Sequence, residues 1–292
     1  MKLITYVVDG VPQPGLLRGE EAYDLAVVLE AVGEVPAVSL RALLETHGAR
    51  LADLSLRIDD VLERTEIAPI APLRDLRLAP PIADPAKVLC VGLNYATHVA
   101  ETGRPLPEHP DLFAKFASTL IGASDEIGGS DITTNLDFEG EVAVVIGVAA
   151  HRVAEADALS VVAGYSILND VTARDLQYRG TQWLAGKAVD GSTPFGPALV
   201  TADEVGDPQA LAICTRLNGV DVQNSNTAYM IFPIAHIVSY VSHIMSLAPG
   251  DVIATGTPEG IGAKRKPPLW MRSGDVVEVE VEKLGILRST VR

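Results

Sequence analysis

From Val88 onward the chain is built of short runs rich in β-branched and other apolar residues: VLCVG, EVAVVIGV, SVVAGYSIL, ALVTA, LAICTRL, DVIATG and DVVEVEVEKLG. Turn residues separate them. Runs this short and this frequent predict a mixed or antiparallel β-rich domain. Helical signals are few; the clearest covers 231–247, where Ile234, Ile237, Val238, Val241, Ile244 and Met245 share one face. Regular strand–helix alternation and a GxGxxG motif are both missing, which argues against a doubly wound fold. No repeat, coiled coil or low-complexity tract interrupts the pattern.

The first 70 residues read differently. LITYVV, then Asp9-Gly10, then a second apolar run predict a hairpin. Ser39 before LRALLE is a helix-start signal followed by helical spacing. Residues 1–70 are therefore expected to form a small α+β N-terminal domain. Pro69, Pro72, Pro80, Pro81 and Pro85 fall in a stretch without periodicity. Proline at that density excludes helix and central strand, so 71–87 reads as a linker. Residues 88–292 make the larger domain, and the fold class is mixed, β-rich α+β.

The 292 residues include 23 Lys and Arg against 38 Asp and Glu, a formal net charge of −15. A surface that acidic repels phosphate backbones, so nucleic acid is not an expected partner. It also repels small carboxylates, so an acidic substrate would need a site made locally positive by a metal or by specific Lys and Arg. Cys90 and Cys214 form no CxxC and read as buried, inert thiols. MKLITYVVDG has an acidic turn where a signal peptide would need its apolar core. The longest apolar stretch, 231–247, carries His236, Ser239, Ser242 and His243 and is too short and polar to span a bilayer. A cytoplasmic protein without membrane association is expected.

Asp137-Phe-Glu139-Gly-Glu141 runs into the strand VAVVIG. Residues two apart on a strand point the same way, so Glu139 and Glu141 present two carboxylates to one face, with Gly140 leaving room between them. Two like charges that close call for a cation or a proton between them. Oxygen ligands with no neighbouring Cys or His point to Mg²⁺, with Mn²⁺ as an alternative and Ca²⁺ as a non-native occupant. A solvated acidic strand end is the competing reading. The strand over Val161–Leu168 ends in Asn169-Asp170; if it neighbours the first, Asp170 completes a set of three oxygen ligands, and otherwise it caps a turn.

A second cluster is GLNYATHVAE, residues 92–101. In a helix, Glu101 can hydrogen-bond the His98 ring and raise its basicity, as a general base acting on water requires. A purely structural pair is the alternative. The adjoining ETGRPLPEHP reads as a lid. GKAVDGSTPFGP bears Lys187, and TGTPEGIG bears Thr255 and Thr257; neither loop has P-loop spacing.

Taken in order, VGLNYATHVAE, LFAKFASTLIG, LDFEGEVAVVIG, NDVTARDLQ, GKAVDGSTPFGP, LAPGDVIATGTPEGIG and SGDVVEVEVEKLG resemble the fumarylacetoacetate hydrolase family, in its short acylpyruvase and hydroxydienedioate isomerase-like branch. The seven pieces cover roughly residues 85–290. The resemblance implies a mixed β-roll catalytic domain, usually homodimeric, behind a small, variable N-terminal domain. It implies Mg²⁺ or Mn²⁺ on Glu139, Glu141 and Asp170, a lid pair His98 and Glu101, and an active-site Lys187. Substrate contacts are implied for Tyr95, Arg174, Gln177, Thr255 and Thr257. Phe116 departs from the family's frequent F-x-K-P segment, which bears on the pocket wall near Lys115 and leaves the metal site untouched.

The implied substrate is a small 2-oxo or 2,4-diketo acid of the acylpyruvate type. The implied reaction is hydrolysis of its C3–C4 bond through a metal-held pyruvate enolate, with water activated by His98 and Glu101. Decarboxylation of a 2-oxo acid such as oxaloacetate, or isomerisation of a hydroxydienoate, would use the same scaffold without the water. A non-catalytic reading, an acidic β-rich module holding a structural cation, gives no role to His98, Glu101 or Lys187.

Overall fold

The computed structural model describes all 292 residues. A two-residue turn at Asp9-Gly10, both with positive φ, joins Lys2–Val8 to Val11–Arg18, the hairpin that an Asp-Gly pair favours. Ser39 caps the helix Leu40–His47 through the Ala42 N–H, as the start signal predicted.

These N-terminal strands belong to the edge of one large sheet. In spatial order its strands are Ala71–Pro72, Glu21–Asp24, Val11–Arg18, Lys2–Val8, Thr193–Thr201, Val162–Asn169, Gly140–Ile146, Val252–Ala254, Val88–Gly92 and Asp111–Lys115. Lys2 and Leu3 pair with Val200 and Leu199, so the sheet is continuous across the expected boundary between the two domains. The 71–87 segment is likewise laid on the sheet: Leu78–Ala79 pairs with Lys2–Val8, and Ile82 is buried in the core. Proline kept it out of the sheet interior, but its aliphatic side chains still found an apolar surface to cover.

Gly140–Ile146 and Val162–Asn169 are buried along their whole length. That accounts for EVAVVIGV reading as a continuous apolar run rather than an alternating one, since both faces are covered. Val142, Val144 and Ile146 face one core, shared with the helix Ile234–Ile244. The second sheet, in the order Val220–Asn226, Ala212–Leu217, Val276–Val281 and Gly285–Thr290, lies on the same side. Ala143 and Val145 face the other core, against Leu25–Ala31, Leu40–His47 and Leu51–Arg64. The fold is mixed α/β around this large sheet. No helix is long and apolar enough to cross a membrane.

Candidate active site

The site forms where Gly140–Ile146 and Val162–Asn169 run antiparallel with Gly140 opposite Asn169. That register sets Asp170 beside Glu139, and the Asp170 N–H donates to the Glu139 carbonyl at 2.8 Å. Glu139, Glu141 and Asp170 are all buried, and each offers an oxygen within 4.8 Å of the others. Strand spacing had paired Glu139 with Glu141, and the antiparallel neighbour on which the joining of Asp170 depended is present. Gly140 serves the opposite face: a Cβ there would meet Thr215 Oγ1 at 2.3 Å and a Val279 methyl at 2.9 Å, so its missing side chain lets the second sheet close in.

Three cations answer this negative charge. Lys187 Nζ donates to Glu139 at 2.5 Å and to Asp170 at 2.6 Å. Lys115 Nζ donates to the other Asp170 oxygen at 2.8 Å. Arg174 donates from Nε to Asp137 at 2.8 Å and from its terminal nitrogen to Glu139 at 2.5 Å, with Gln177 accepting a third bond at 3.0 Å. Asp137 is fully buried and also accepts from the Gly262 and Ala263 N–H groups at 2.7 and 3.0 Å. Burial pushes Asp137 up, and Arg174 only partly offsets it.

Glu141 has no such partner; it accepts only from the Gly256 N–H, at 2.7 Å. Gly256 has φ +101°, and a Cβ there would press on Asn94 at 2.7 Å, so glycine is what lets this N–H reach the carboxylate. Burial is the largest influence on Glu141 and raises its pKa well above the ordinary glutamate value, with Asp170 and Glu139 adding to the rise. Four buried carboxylates, counting Asp137, thus face three cations. A hard, oxygen-coordinated divalent cation fits this donor set, because it would neutralise the one carboxylate left without a countercharge.

Beyond the carboxylates lies a cavity of about 100 Å³, also lined by His98, Arg174, Gln177, Lys187 and Thr257. His98 sits in the helix Ala96–Thr102, its Nδ1 2.7 Å from Glu101 Oε1. The other Glu101 oxygen accepts from the Gly260 N–H at 3.0 Å, and Thr97 donates to Glu259. The helix Ala96–Thr102 is thereby tied to the loop after Thr257. In a neutral imidazole whose Nδ1 proton is held by Glu101, Nε2 would be the acceptor.

Two expected substrate contacts lie elsewhere. Tyr95 packs in the apolar core with Leu89 and Met230, and its buried hydroxyl has no hydrogen-bond partner. It stands in extended backbone just before the helix Ala96–Thr102, whereas His98, within that helix, lines the cavity. The Thr255 hydroxyl donates to the Val142 carbonyl at 2.8 Å and does not line the cavity. Thr257 does line it, while donating to the Gly140 carbonyl at 2.9 Å. Phe116 is exposed and Lys115 is turned under the site, so the departure at Phe116 does not shape the cavity.

Asp137, Phe113, Trp183, Arg104 and Lys264 also belong to this region. Only Asp137 carried a sequence signal, its two-residue spacing from Glu139.

The model of the fumarylacetoacetate (FAA) hydrolase C-terminal family matches residues 87–292. Over 225 residues the chain is 44% identical to a mitochondrial oxaloacetate tautomerase of Homo sapiens, covering 76% of this chain and 72% of that one. It is 39% identical over 293 residues to the 2,4-didehydro-3-deoxy-L-rhamnonate hydrolase of a Sphingomonas species, covering 100% and 96%. The maleylpyruvate hydrolase of a Sphingobium species, solved with manganese(II) and pyruvate, superposes with a TM-score of 0.79 at 28% identity, covering 100% and 98%. With a matched domain that contains every residue around the cavity, this chain is an enzyme of the fumarylacetoacetate hydrolase family.

Proposed function

We propose that this enzyme is a divalent-metal-dependent hydrolase that cleaves the C3–C4 bond of a small acylpyruvate-type 2,4-diketo acid. The observation that carries this reading is the His98–Glu101 pair facing the same cavity as three gathered carboxylates. An imidazole oriented by a carboxylate is suited to taking a proton from an attacking water.

The residues support the following sequence. His98 Nε2 takes a proton from water while the water oxygen attacks the C4 carbonyl. As the resulting alkoxide collapses, the C3–C4 bond breaks and its electron pair passes into the enolate of pyruvate. The proton on His98 goes to C3, and the released acid loses its own proton to solvent. Arg174 is held rigid by Asp137, Glu139 and Gln177 and keeps N–H donors to spare for a substrate carboxylate. When bound by Glu139, Glu141 and Asp170, a divalent cation supplies Lewis acidity toward negative charge on the substrate's 2-oxo oxygen.

Incubating acylpyruvates with enzyme and Mg²⁺ in ¹⁸O-water tests this. Pyruvate and a singly labelled carboxylic acid are expected; no pyruvate from any acylpyruvate would sink the reading.

One observation favours a second reading, the 44% identity to an oxaloacetate tautomerase. Enolisation of a 2-oxo acid, or its decarboxylation, would use the same carboxylates and cations without an attacking water. Turnover of oxaloacetate, together with inertness toward acylpyruvates, would select it.

A further inference from the structure

Gln223 does not line the cavity; it is buried on the strand Val220–Asn226 of the second sheet. Its Oε1 accepts from the Gly140 N–H at 3.0 Å. Its Nε2 donates to the Thr257 hydroxyl at 2.8 Å and to the Pro258 carbonyl at 2.9 Å. The Thr257 hydroxyl in turn donates to the Gly140 carbonyl at 2.9 Å, which closes a ring through Gly140, Gln223 and Thr257. Gly140 stands between two of the gathered carboxylates, and Thr257 lines the cavity.

The chemistry of the partners fixes where each proton of this ring lies. The Gly140 N–H can only donate, so the amide oxygen of Gln223 faces it and the amide NH₂ faces Thr257 and the Pro258 carbonyl. The Gly140 carbonyl can only accept, so the Thr257 proton points to it. A hydroxyl has one proton and two lone pairs, and Thr257 has committed the proton and one lone pair to buried partners. Only the second lone pair is left for a neighbour in the cavity. The strand that holds Gln223 is also pressed on the loop beyond Thr257, where a Cβ on Gly260 would meet the Val222 carbonyl at 2.2 Å. The Gly260 N–H donates to Glu101, the partner of His98.

We infer that Gln223 is a positioning residue for the reaction and acts through Thr257. Without the amide, the Thr257 hydroxyl is free to turn its proton toward the cavity; with it, Thr257 is an acceptor only. A group that meets this hydroxyl from the cavity is therefore a hydrogen-bond donor, an O–H rather than a carbonyl or carboxylate oxygen. Two such groups belong to 2-oxo acid chemistry, an attacking water and an enol hydroxyl of the substrate. That the reactant is a 2-oxo acid rests on the proposed function; the polarity of Thr257 does not.

The test is a double-mutant cycle on the Mg²⁺-loaded enzyme, read as kcat/KM toward an acylpyruvate and toward oxaloacetate. Gln223→Met fills similar space without donor or acceptor; Gln223→Glu keeps the acceptor for Gly140 and loses the donor to Thr257. Each should lower kcat/KM about tenfold, the scale of one buried hydrogen bond, and so should Thr257→Val. Because Gln223 acts through Thr257, each double variant should match Thr257→Val to within about twofold. Losses that multiply to about a hundredfold would overturn the inference. So would a fall in Mg²⁺ affinity as large as the fall in kcat/KM, since Gln223 would then act through Glu139 and Glu141. The expected change in that affinity, by calorimetry, is well below the roughly tenfold of a residue that supports metal ligands. A loss confined to the acylpyruvate would assign the donor as the attacking water, and a loss with both acids as an enol hydroxyl. Turnover of oxaloacetate alone by wild type would overturn the hydrolase reading and leave the cycle to be read on oxaloacetate. A wild type inert toward both acids, or failure of both Gln223 variants to fold, would overturn the inference.

Discussion

Glu141 meets no cation of the chain, and its one polar partner is the N–H of Gly256, 2.7 Å away. Asp137, Glu139 and Asp170 each meet an Arg or a Lys. Replacing Glu141 by Gln should therefore weaken divalent-ion binding by about 10²-fold or more, since even outer-shell changes at metal sites reach that scale. The same change removes an uncompensated buried charge. In EDTA the variant should melt no lower than wild type, and a clear drop in that melting temperature would contradict the placement of the charge.

A pH dependence follows from the same carboxylate. Glu141 has a folded pKa above its unfolded one, so it binds its proton more tightly when folded. The metal-free protein should lose stability as pH rises from the ordinary glutamate value up to the raised one. Glu139 acts in the opposite sense and in a different window. Burial is its largest influence and would raise it, but Arg174 and Lys187 outweigh burial and hold it low. Its stabilisation is present above the ordinary glutamate value and is lost as pH falls through the lowered one. Denaturant midpoints in EDTA should thus decline toward neutral pH for wild type and stay flatter for Glu141→Gln. Parallel curves would show that Glu141 is not the source.

His98 separates hydrolysis from simple decarboxylation. Losing a general base should cost acylpyruvate cleavage roughly 10²–10⁴ in kcat, whereas decarboxylation of oxaloacetate needs no activated water. The ratio of the two rates should shift strongly toward decarboxylation in His98→Ala and more weakly in Glu101→Gln. Equal losses would reassign His98 to lid closure or substrate positioning.

Asp137 positions Arg174, at 2.8 Å from its Nε, and both groups are buried. Asp137→Asn leaves that end of the guanidinium without its countercharge, at a cost of about 3 kcal/mol of stability. Substrate affinity should fall with it, because Arg174 loses its fixed orientation. Chemical denaturation and KM report the two effects separately; a variant of wild-type stability would remove Asp137 from this role.

Gly140→Ala presses a methyl group on Thr215 and Val279 of the second sheet. Overpacking of this kind costs about 1–3 kcal/mol. Divalent-ion affinity should change little, since the glutamates point the other way. A large loss of affinity at unchanged melting temperature would mean that Gly140 spaces the ligands after all.

The gathering of Glu139, Glu141 and Asp170 was legible in the sequence because it needs only the two-residue repeat of a strand and one antiparallel neighbour. His98 and Glu101 were legible for the equivalent helical reason. The role of Asp137 was not, because its meeting with Arg174 depends on the pairing of Leu136–Asp137 with Thr172–Ala173, a contact made across the chain. Tyr95 was expected at the site only from the family resemblance; it stands in extended backbone just before the helix Ala96–Thr102 and packs into the core. Arg104 and Lys264 carry no pattern at all, since only the closed fold brings them to one cavity. The first hairpin could be read from Asp9-Gly10, but its union with Thr193–Thr201 could not.

That union bears on how the protein can be cut. A fragment beginning at residue 88 would keep every side chain around the cavity and still be a poor protein. About half of the 23 residues in the core beneath the helices come from before that point. The backbone of Thr193–Thr201 would also lose its partner at Leu199 and Val200, opening an apolar edge to any passing strand. Separating the chain at this joint would expose a sticky seam, so the N-terminal region is a structural part of the catalytic one.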